Sequence, residues 1–153
     1  MRCVVQRVQQ ASVTVDGTIV GEIARGLMVL AAVEKGDTEK ERAWMAEKLA
    51  NLRLFPDAEG KMNLSVIDLG DAGGVLMVPN FTVAGDCRKG RRPGFDGAMR
   101  PPEAEHEFGA LCDAVGARGV RVARGVFGAD MKVALVNDGP VTVIVEAPRG
   151  ASR

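Results

Sequence analysis

The sequence has one histidine, three cysteines and no tyrosine among its 153 residues, and aromatic residues make up 4%. The cysteines Cys3, Cys87 and Cys112 form no CxxC pair, so we expect neither a disulfide framework nor a Cys/His zinc site within one chain. Catalytic Ser-His-Asp or Cys-His sets need a histidine base. The single candidate, His106, lies among glutamates in a predicted helix and is predicted to be solvated.

Charge of either sign is not in excess, since 20 Lys and Arg face 20 Asp and Glu. This balance excludes a protein coated all over in nucleic acid, but the charge is uneven. Residues 84–100 carry five basic residues against two acidic ones, whereas residues 102–117 carry four acidic residues and no Lys or Arg. A small basic site for one end of an RNA remains compatible with neutrality.

Long hydrophobic runs are also missing. No run approaches the roughly 20 apolar residues that cross a bilayer, and Gln6 and Arg7 interrupt any signal-peptide core. We therefore expect a reduced, cytoplasmic protein that does not enter membranes. The length favours one domain over residues 1–153, with residues 149–153 as a disordered tail.

The apolar pattern predicts strands, a helix, strands, a second helix and more strands. Thr38 and Glu41 fit a capping box that opens a helix ending near Asn51. A second helix is predicted to begin at Pro102 and end at Gly116 or Gly119. Strands are predicted around a 16–17 hairpin turn and at 27–33, 52–55, 75–83, 120–122, 131–136 and 141–145. The fold class is therefore α+β, a single domain with a mixed or antiparallel sheet packed with two main helices.

Two segments stand out within this pattern. Pro79 interrupts the strand at 75–83, which indicates an edge strand or an irregular bend. A bend could instead turn the backbone N–H groups of Phe81 and Thr82 outward, as an oxyanion hole requires. Residues 137–142 could be a simple turn, but X-Pro is the bond type that is commonly cis, so Gly139–Pro140 could direct two carbonyls to an unusual place.

A third segment, residues 84–101, is predicted to be a long loop, and loops of that length are usually functional or disordered. Four of its residues, Arg88, Lys89, Arg91 and Arg92, place four cations within five positions. The segment is compatible with a solvated loop or with phosphate binding.

These segments, in this order, resemble the D-aminoacyl-tRNA deacylase family, and the resemblance runs nearly end to end. The matching motifs are VQRV at 5–8, ASVTV at 11–15, VEKGD at 33–37, NLR at 51–53, GKMNLS at 60–65, RKGRRP at 88–93, FGADM at 127–131 and NDGPVT at 137–142.

The resemblance implies a homodimeric hydrolase of the ester between a D-amino acid and the terminal adenosine of tRNA, which also removes glycine from mischarged tRNA. It implies catalysis by main-chain groups and the 2′-hydroxyl of the terminal ribose, without a metal or other cofactor. The aminoacyl-tRNA and a second subunit are the expected partners.

The family's Ser-Gln-Phe-Thr signature falls on residues 79–82, so Phe81 and Thr82 are the implied oxyanion donors. Its Gly-cis-Pro motif falls on Gly139 and Pro140, which in the family enter the partner subunit's site and exclude L side chains. Further implied roles are substrate binding by Pro79, Asn80 and Met131, support of the Gly-Pro motif by Arg7, and tRNA binding by Arg88, Lys89, Arg91 and Arg92.

Pro79 and Asn80 depart from the family's Ser and Gln. A related subgroup that edits L-alanine mischarged on threonine tRNA carries Pro-Gln-Ala-Thr and a trans Gly-Pro. Because Phe81 and residues 137–140 follow the standard pattern, we expect the D-specific, glycine-tolerant activity. The alternatives are that L-alanine editor, an inactive tRNA-binding module, a structural dimer without an RNA role, or a reaction with Thr82 as nucleophile.

Overall fold

The computed structural model describes residues 1–149, so residues 150–153 of the expected tail lie outside the described residues. Two α-helices and eight strands account for most of the chain. They are β1 (Arg2–Val15), β2 (Thr18–Ile23), β3 (Gly26–Ala32), α1 (Glu39–Asn51), β4 (Phe55–Pro56), β5 (Met62–Leu64), β6 (Gly74–Pro79), α2 (Glu103–Gly116), β7 (Arg121–Arg124) and β8 (Lys132–Glu146).

The main sheet is mixed, as the sequence predicts. The long strand β1 pairs antiparallel with β2, β3 and β8. Strand β3 pairs parallel with β6, and β6 pairs parallel with β7. The two parallel connections each contain one α-helix, which is the connection that parallel neighbours require.

The helices form as predicted because their signals are local. The hydroxyl of Thr38 and the carboxylate of Glu41 make the capping box of α1. Helix α2 buries the four apolar residues that recur at i, i+3, i+4 and i+7, and its last residue is Gly116. Those four residues are Phe108, Leu111, Cys112 and Val115.

The two faces of the sheet have separate apolar clusters. Met45 and Leu49 of α1 pack with Leu111 of α2 against one face, where Val29 and Met77 point. The other face has a smaller cluster that contains Val8, Met28 and Val78 among others. Both faces of β3 and β6 are thus buried, which explains their continuous apolar sequences.

The strand that contains Pro79 differs from the edge strand that the sequence suggests. Strand β6 lies between β3 and β7, and Pro79 is its last residue, opposite Ala31. A proline is tolerated there because the pairing of β6 with β7 ends at Met77, so no strand on that side needs an N–H from residue 79. The chain then bends into a 3₁₀ helix, Phe81–Ala84, here named the Phe81 turn. The edge-strand interpretation is wrong, and the irregular bend is confirmed.

Two further boundaries differ from prediction. The short strand predicted at 52–55 begins at Phe55, and β4 pairs with β5 across a tip where Asp57 Oδ1 accepts the N–H groups of Glu59 and Lys61. The two strands predicted at 131–136 and 141–145 form one strand, β8. Its pairing with β1 shifts register around residues 137–142, because that segment bulges out of the ladder.

Candidate active site

The Phe81 turn is held in place by short-range contacts at the end of β6. The N–H of Asn80 donates to the carbonyl oxygen of Ala31 at 2.9 Å, which continues the pairing with β3 beyond Pro79. The side chain of Asn80 caps the turn, since its Oδ1 accepts the N–H of Thr82 at 3.2 Å. The hydroxyl of Thr82 also donates to this oxygen. Asn80, one of the two departures from the family signature, therefore orders the turn.

The two predicted main-chain donors are not equivalent in this arrangement. The N–H of Thr82 already donates to Asn80. The N–H of Phe81 donates to no acceptor within residues 1–149. An oxyanion hole needs an N–H group that has no other acceptor. The N–H of Phe81 is therefore the better candidate donor. The Thr82 hydroxyl is bound to an amide oxygen, which is not a base that could activate it.

An aromatic cavity of about 570 Å³ opens beside this turn. Four of the five phenylalanines of the chain line it, together with Pro79. The Phe81 ring is 57% exposed and meets Phe95 edge-to-face, with ring centroids 5.2 Å apart. A cavity walled by aromatic rings can hold a planar base by stacking. The other two rings are Phe108 and Phe127, and the charged residues at the cavity are Asp96 and Arg100.

Sequence reasoning missed most of this cavity. Phe95, Phe108 and Phe127 come from three different segments, and no spacing relates them to Phe81. The one available signal was the length of the loop at 84–101, which contains Phe95 and Arg100.

Met131 lies close to Pro79, although it does not line the cavity. A Cβ atom on Gly125 would lie 2.7 Å from the Met131 sulfur and 3.3 Å from Pro79 Cδ. Gly125 is thus enclosed between the two side chains, and its N–H donates to the carbonyl of Met77 at 2.8 Å. Met131 packs against the apolar cluster that contains Val78.

The Gly139–Pro140 peptide is cis and lies in the bulge of β8. The side chain of Asn137 braces the bulge, since its Oδ1 accepts the N–H of Val141 at 2.8 Å. Gly139 has φ +148°, and a Cβ atom there would lie 2.7 Å from the nitrogen of Val141. Only glycine fits this position without strain.

Arg7 donates hydrogen bonds to the bulge and to a second segment of the chain. Its Nε donates to the carbonyl oxygen of Asp138 at 2.8 Å, and its Nη1 donates to the carbonyl oxygen of Leu54 at 2.6 Å. The side chain is 12% exposed. A single guanidinium therefore ties the bulge to the segment that follows α1.

Within one chain, the bulge and the Phe81 turn lie far apart. The bulge lies opposite residues 6–8 of β1. Those residues also pair with β3, and the β3 residues opposite them pair with β6 around Val75. Pro79 lies four residues further on, about 13 Å along the strand at the usual rise. Three strand spacings add about 14 Å across the sheet, so the separation is about 20 Å. The two predicted halves of the site do not meet in one subunit.

The four predicted tRNA-binding cations share one loop, defined here as the basic loop (residues 86–94). Asp86 and Gly94 close it with two backbone hydrogen bonds of 2.8 and 2.9 Å. Arg88 forms a two-point pair with Asp86, with Nε to Oδ1 at 2.8 Å and Nη2 to Oδ2 at 2.7 Å. The Arg88 guanidinium and N–H hold the pKa of the Asp86 carboxyl well below its usual range. Lys89, Arg91 and Arg92 are exposed without an acidic partner in the described chain.

The remaining reactive groups lie elsewhere. Burial raises the pKa of Cys3 to about 12 and that of Cys112 to about 11, so both core thiols stay protonated at neutral pH. His106 is exposed on α2, as predicted. Residues 1–149 contain no group of three or more His, Cys, Asp or Glu side chains placed to hold a metal ion, and none of their helices is long and apolar enough to span a membrane.

The family model described as D-Tyr-tRNA(Tyr) deacylase matches residues 4–146. The chain belongs to this family. The match confirms the resemblance and the predicted enzyme class, an aminoacyl-tRNA deacylase, which is an ester hydrolase. Curated relatives match the chain over nearly their full length. The D-aminoacyl-tRNA deacylases of Geobacter metallireducens and Myxococcus xanthus are each 54% identical to this deacylase, over 97% and 99% of its chain and 97% and 98% of theirs.

Solved structures share the fold. A protein described as c-Myc DNA Unwinding Element Binding Protein superposes with a TM-score of 0.91 at 39% identity, over 97% of this deacylase and 100% of that chain. A probable eukaryotic D-amino acid tRNA deacylase superposes with a TM-score of 0.80 at 21% identity, over 94% and 97% of the two chains. The predicted single α+β domain with its mixed sheet is confirmed.

Proposed function

We propose that the protein hydrolyses the ester between a D-amino acid and the terminal adenosine of tRNA, and that it also removes glycine from mischarged tRNA. The observation that carries the proposal is the uncommitted N–H of Phe81 at the rim of the aromatic cavity. The enzyme would act in the cytoplasm as a homodimer.

The terminal adenine fits the aromatic cavity by its chemistry. Aromatic rings stack on any nucleobase, and each such contact is worth about 1–3 kcal/mol. The exposed Phe81 ring and its neighbour Phe95 provide two differently oriented aromatic surfaces. With the base stacked there, the ribose and the aminoacyl ester lie at the rim, next to the Phe81 N–H.

Hydrolysis then depends on polarising the ester carbonyl. Water adds to the carbonyl carbon, and the negative charge that develops on its oxygen is stabilised by the N–H of Phe81. The carbon–oxygen bond to the ribose then breaks, and the neighbouring 2′-hydroxyl relays one proton: it gives its own proton to the departing ribose oxygen and takes up the proton that the added water loses. This reaction needs no side-chain base. The Thr82 hydroxyl, which donates to Asn80, and the exposed His106 therefore take no part in it.

The partner subunit is needed to complete the site. The bulge with Gly139 and Pro140 is about 20 Å from the Phe81 turn of its own chain, so a second subunit must deliver it. Strand β8 is available for this contact, since it pairs with β1 alone among the described strands and exposes Val136 and Ile144. A long strand that has one unpaired edge and exposes apolar side chains favours association with a second copy.

The delivered bulge explains chirality by exclusion. The carbonyl oxygens of the bulge accept hydrogen bonds from the substrate's ammonium group. The bulge then leaves no space in the site on the side where an L side chain would point. A D side chain points away from this wall, and glycine has no side chain to clash. Arg7 and Asn137 make the wall rigid, because each fixes the bulge by hydrogen bonds.

The substrate preference is directly testable. Purified protein is mixed with D-tyrosyl-, L-tyrosyl- and glycyl-tRNA in EDTA, and release of free amino acid is followed. We expect rapid release of D-tyrosine and glycine, with L-tyrosyl-tRNA spared. L-alanyl-tRNA specific for threonine is the comparison substrate.

Each other outcome has a distinct meaning. Equal attack on both enantiomers, or hydrolysis that stops with chelator, would contradict the proposal. Preferential release of L-alanine would identify the L-alanine editor that Pro79 suggests. Salt-sensitive tRNA binding without turnover would identify an inactive binding module.

A further inference from the structure

A second, larger cavity adjoins the aromatic cavity. Its volume is about 950 Å³, and it lies between the basic loop and the ends of β1 and β8 marked by Arg2 and Glu146. Asp96 lines both cavities. A single-stranded nucleic acid whose last base lies in the aromatic cavity can therefore continue past Asp96 into the larger cavity.

Two of the cations that line the larger cavity have no ion pair among the residues that the structure describes. Most of the basic side chains that line it are paired with carboxylates: Arg88 with Asp86, Arg149 with Glu34, and Arg2 with Glu34 and Glu146. Lys89 and Arg92 also line the cavity, and neither has an acidic partner in the chain from residue 1 to 149. Unpaired cations in a continuous groove are what a phosphate backbone requires.

We infer that the larger cavity binds the nucleotides that precede the terminal adenosine, with Lys89 and Arg92 on their phosphates. This inference rests on the proposed function, because the terminal adenosine must occupy the aromatic cavity. The cavity is larger than the one assigned to adenosine, so it has room for more than a single nucleoside. Arg88 shapes the basic loop through its ion pair with Asp86, so its charge is already neutralised within the protein.

Arg91 provides a matched control within the same loop. It is exposed and adjacent to Arg92 in sequence, yet it does not line the cavity. Its side chain is therefore expected to take no part in binding within the cavity. The three cations are exposed and lack ion pairs in the described chain, so their substitution leaves the fold intact.

The test compares two short substrates, D-tyrosyl-adenosine and a D-tyrosyl trinucleotide of sequence C-C-A. For the unaltered enzyme, the trinucleotide should have the higher kcat/KM. Lys89→Ala and Arg92→Ala should each lower this gain about three- to tenfold, as loss of one charged contact predicts. Each should also reduce the salt slope of trinucleotide binding by about 0.7. Arg91→Ala should keep the gain on the trinucleotide and weaken only full-length tRNA.

The outcomes separate the two proposals. If neither substrate is hydrolysed and full-length D-tyrosyl-tRNA is also stable, the proposed function fails and this inference fails with it. If both substrates are hydrolysed but the trinucleotide shows no gain, the cavity does not bind the preceding nucleotides. A gain that survives the Lys89→Ala/Arg92→Ala double substitution, or that depends equally on Arg91, also overturns the inference.

Discussion

Replacing Phe81 with proline is expected to lower kcat for D-tyrosyl-tRNA by about 100- to 1,000-fold relative to Phe81→Ala, the usual effect of losing one oxyanion donor. Both substitutions remove the ring, but only proline also removes the N–H. The backbone accepts the change, because Phe81 is the first residue of a helical turn, where proline is tolerated. Asn80 before it is extended, with φ −148° and ψ 91°, as a residue preceding proline prefers.

Single-turnover kinetics with saturating enzyme measure this effect on the chemical step, and thermal unfolding of both variants checks that they are equally folded. The Phe81→Ala variant alone should show mainly weaker binding, since it loses an aromatic wall of the cavity. Equal kcat values for the two variants would mean that the Phe81 N–H takes no part in catalysis.

Replacing Arg7 with alanine is expected to lower the free energy of unfolding by about 2–4 kcal/mol and to reduce the preference for D over L substrate by about tenfold or more. The change removes the charged donor from the carbonyls of Leu54 and Asp138 and frees the bulge that contains Gly139. Urea unfolding measures the stability, and parallel hydrolysis of D- and L-tyrosyl-tRNA measures the preference.

Arg7→Lys is the control for charge, because a lysine keeps the cation but lacks the planar fork that reaches both carbonyls. We expect it to regain part of the stability and little of the stereochemical preference. If Arg7→Ala lowers stability while the D-to-L ratio stays unchanged, Arg7 only supports the fold and does not position the Gly-Pro bulge.

The sequence predicts those features that depend on neighbouring residues. The capping box at Thr38 and the apolar face of α2 were confirmed because both signals lie within two helical turns. The edge-strand interpretation of Pro79 was wrong because the place of a strand in a sheet depends on pairing with distant β3 and β7. The pairing of Arg88 with Asp86 spans two residues, yet only the folded loop turns the side chains together.

The candidate site likewise has features that the sequence predicted and features that it did not. Residues 79–82, Arg7 and the Gly139–Pro140 bulge were predicted by a family resemblance, and the structure places each in a defined local setting. The aromatic cavity was not predicted, since its four rings come from separate segments of the chain that meet only in the folded structure. The approximate separation of 20 Å between the two halves also needed the strand register.

The proposed active site combines the Phe81 turn of one subunit with the bulge of the other. Co-expression of the Phe81→Pro and Arg7→Ala variants tests this arrangement, because every site of the first variant lacks the Phe81 N–H and every site of the second has a loosened bulge. In a mixed dimer, one of the two sites has both intact halves, so random assembly should restore about one quarter of the unaltered D-selective activity. A mixture whose D-to-L ratio is no higher than that of the Arg7→Ala variant alone would contradict the shared site.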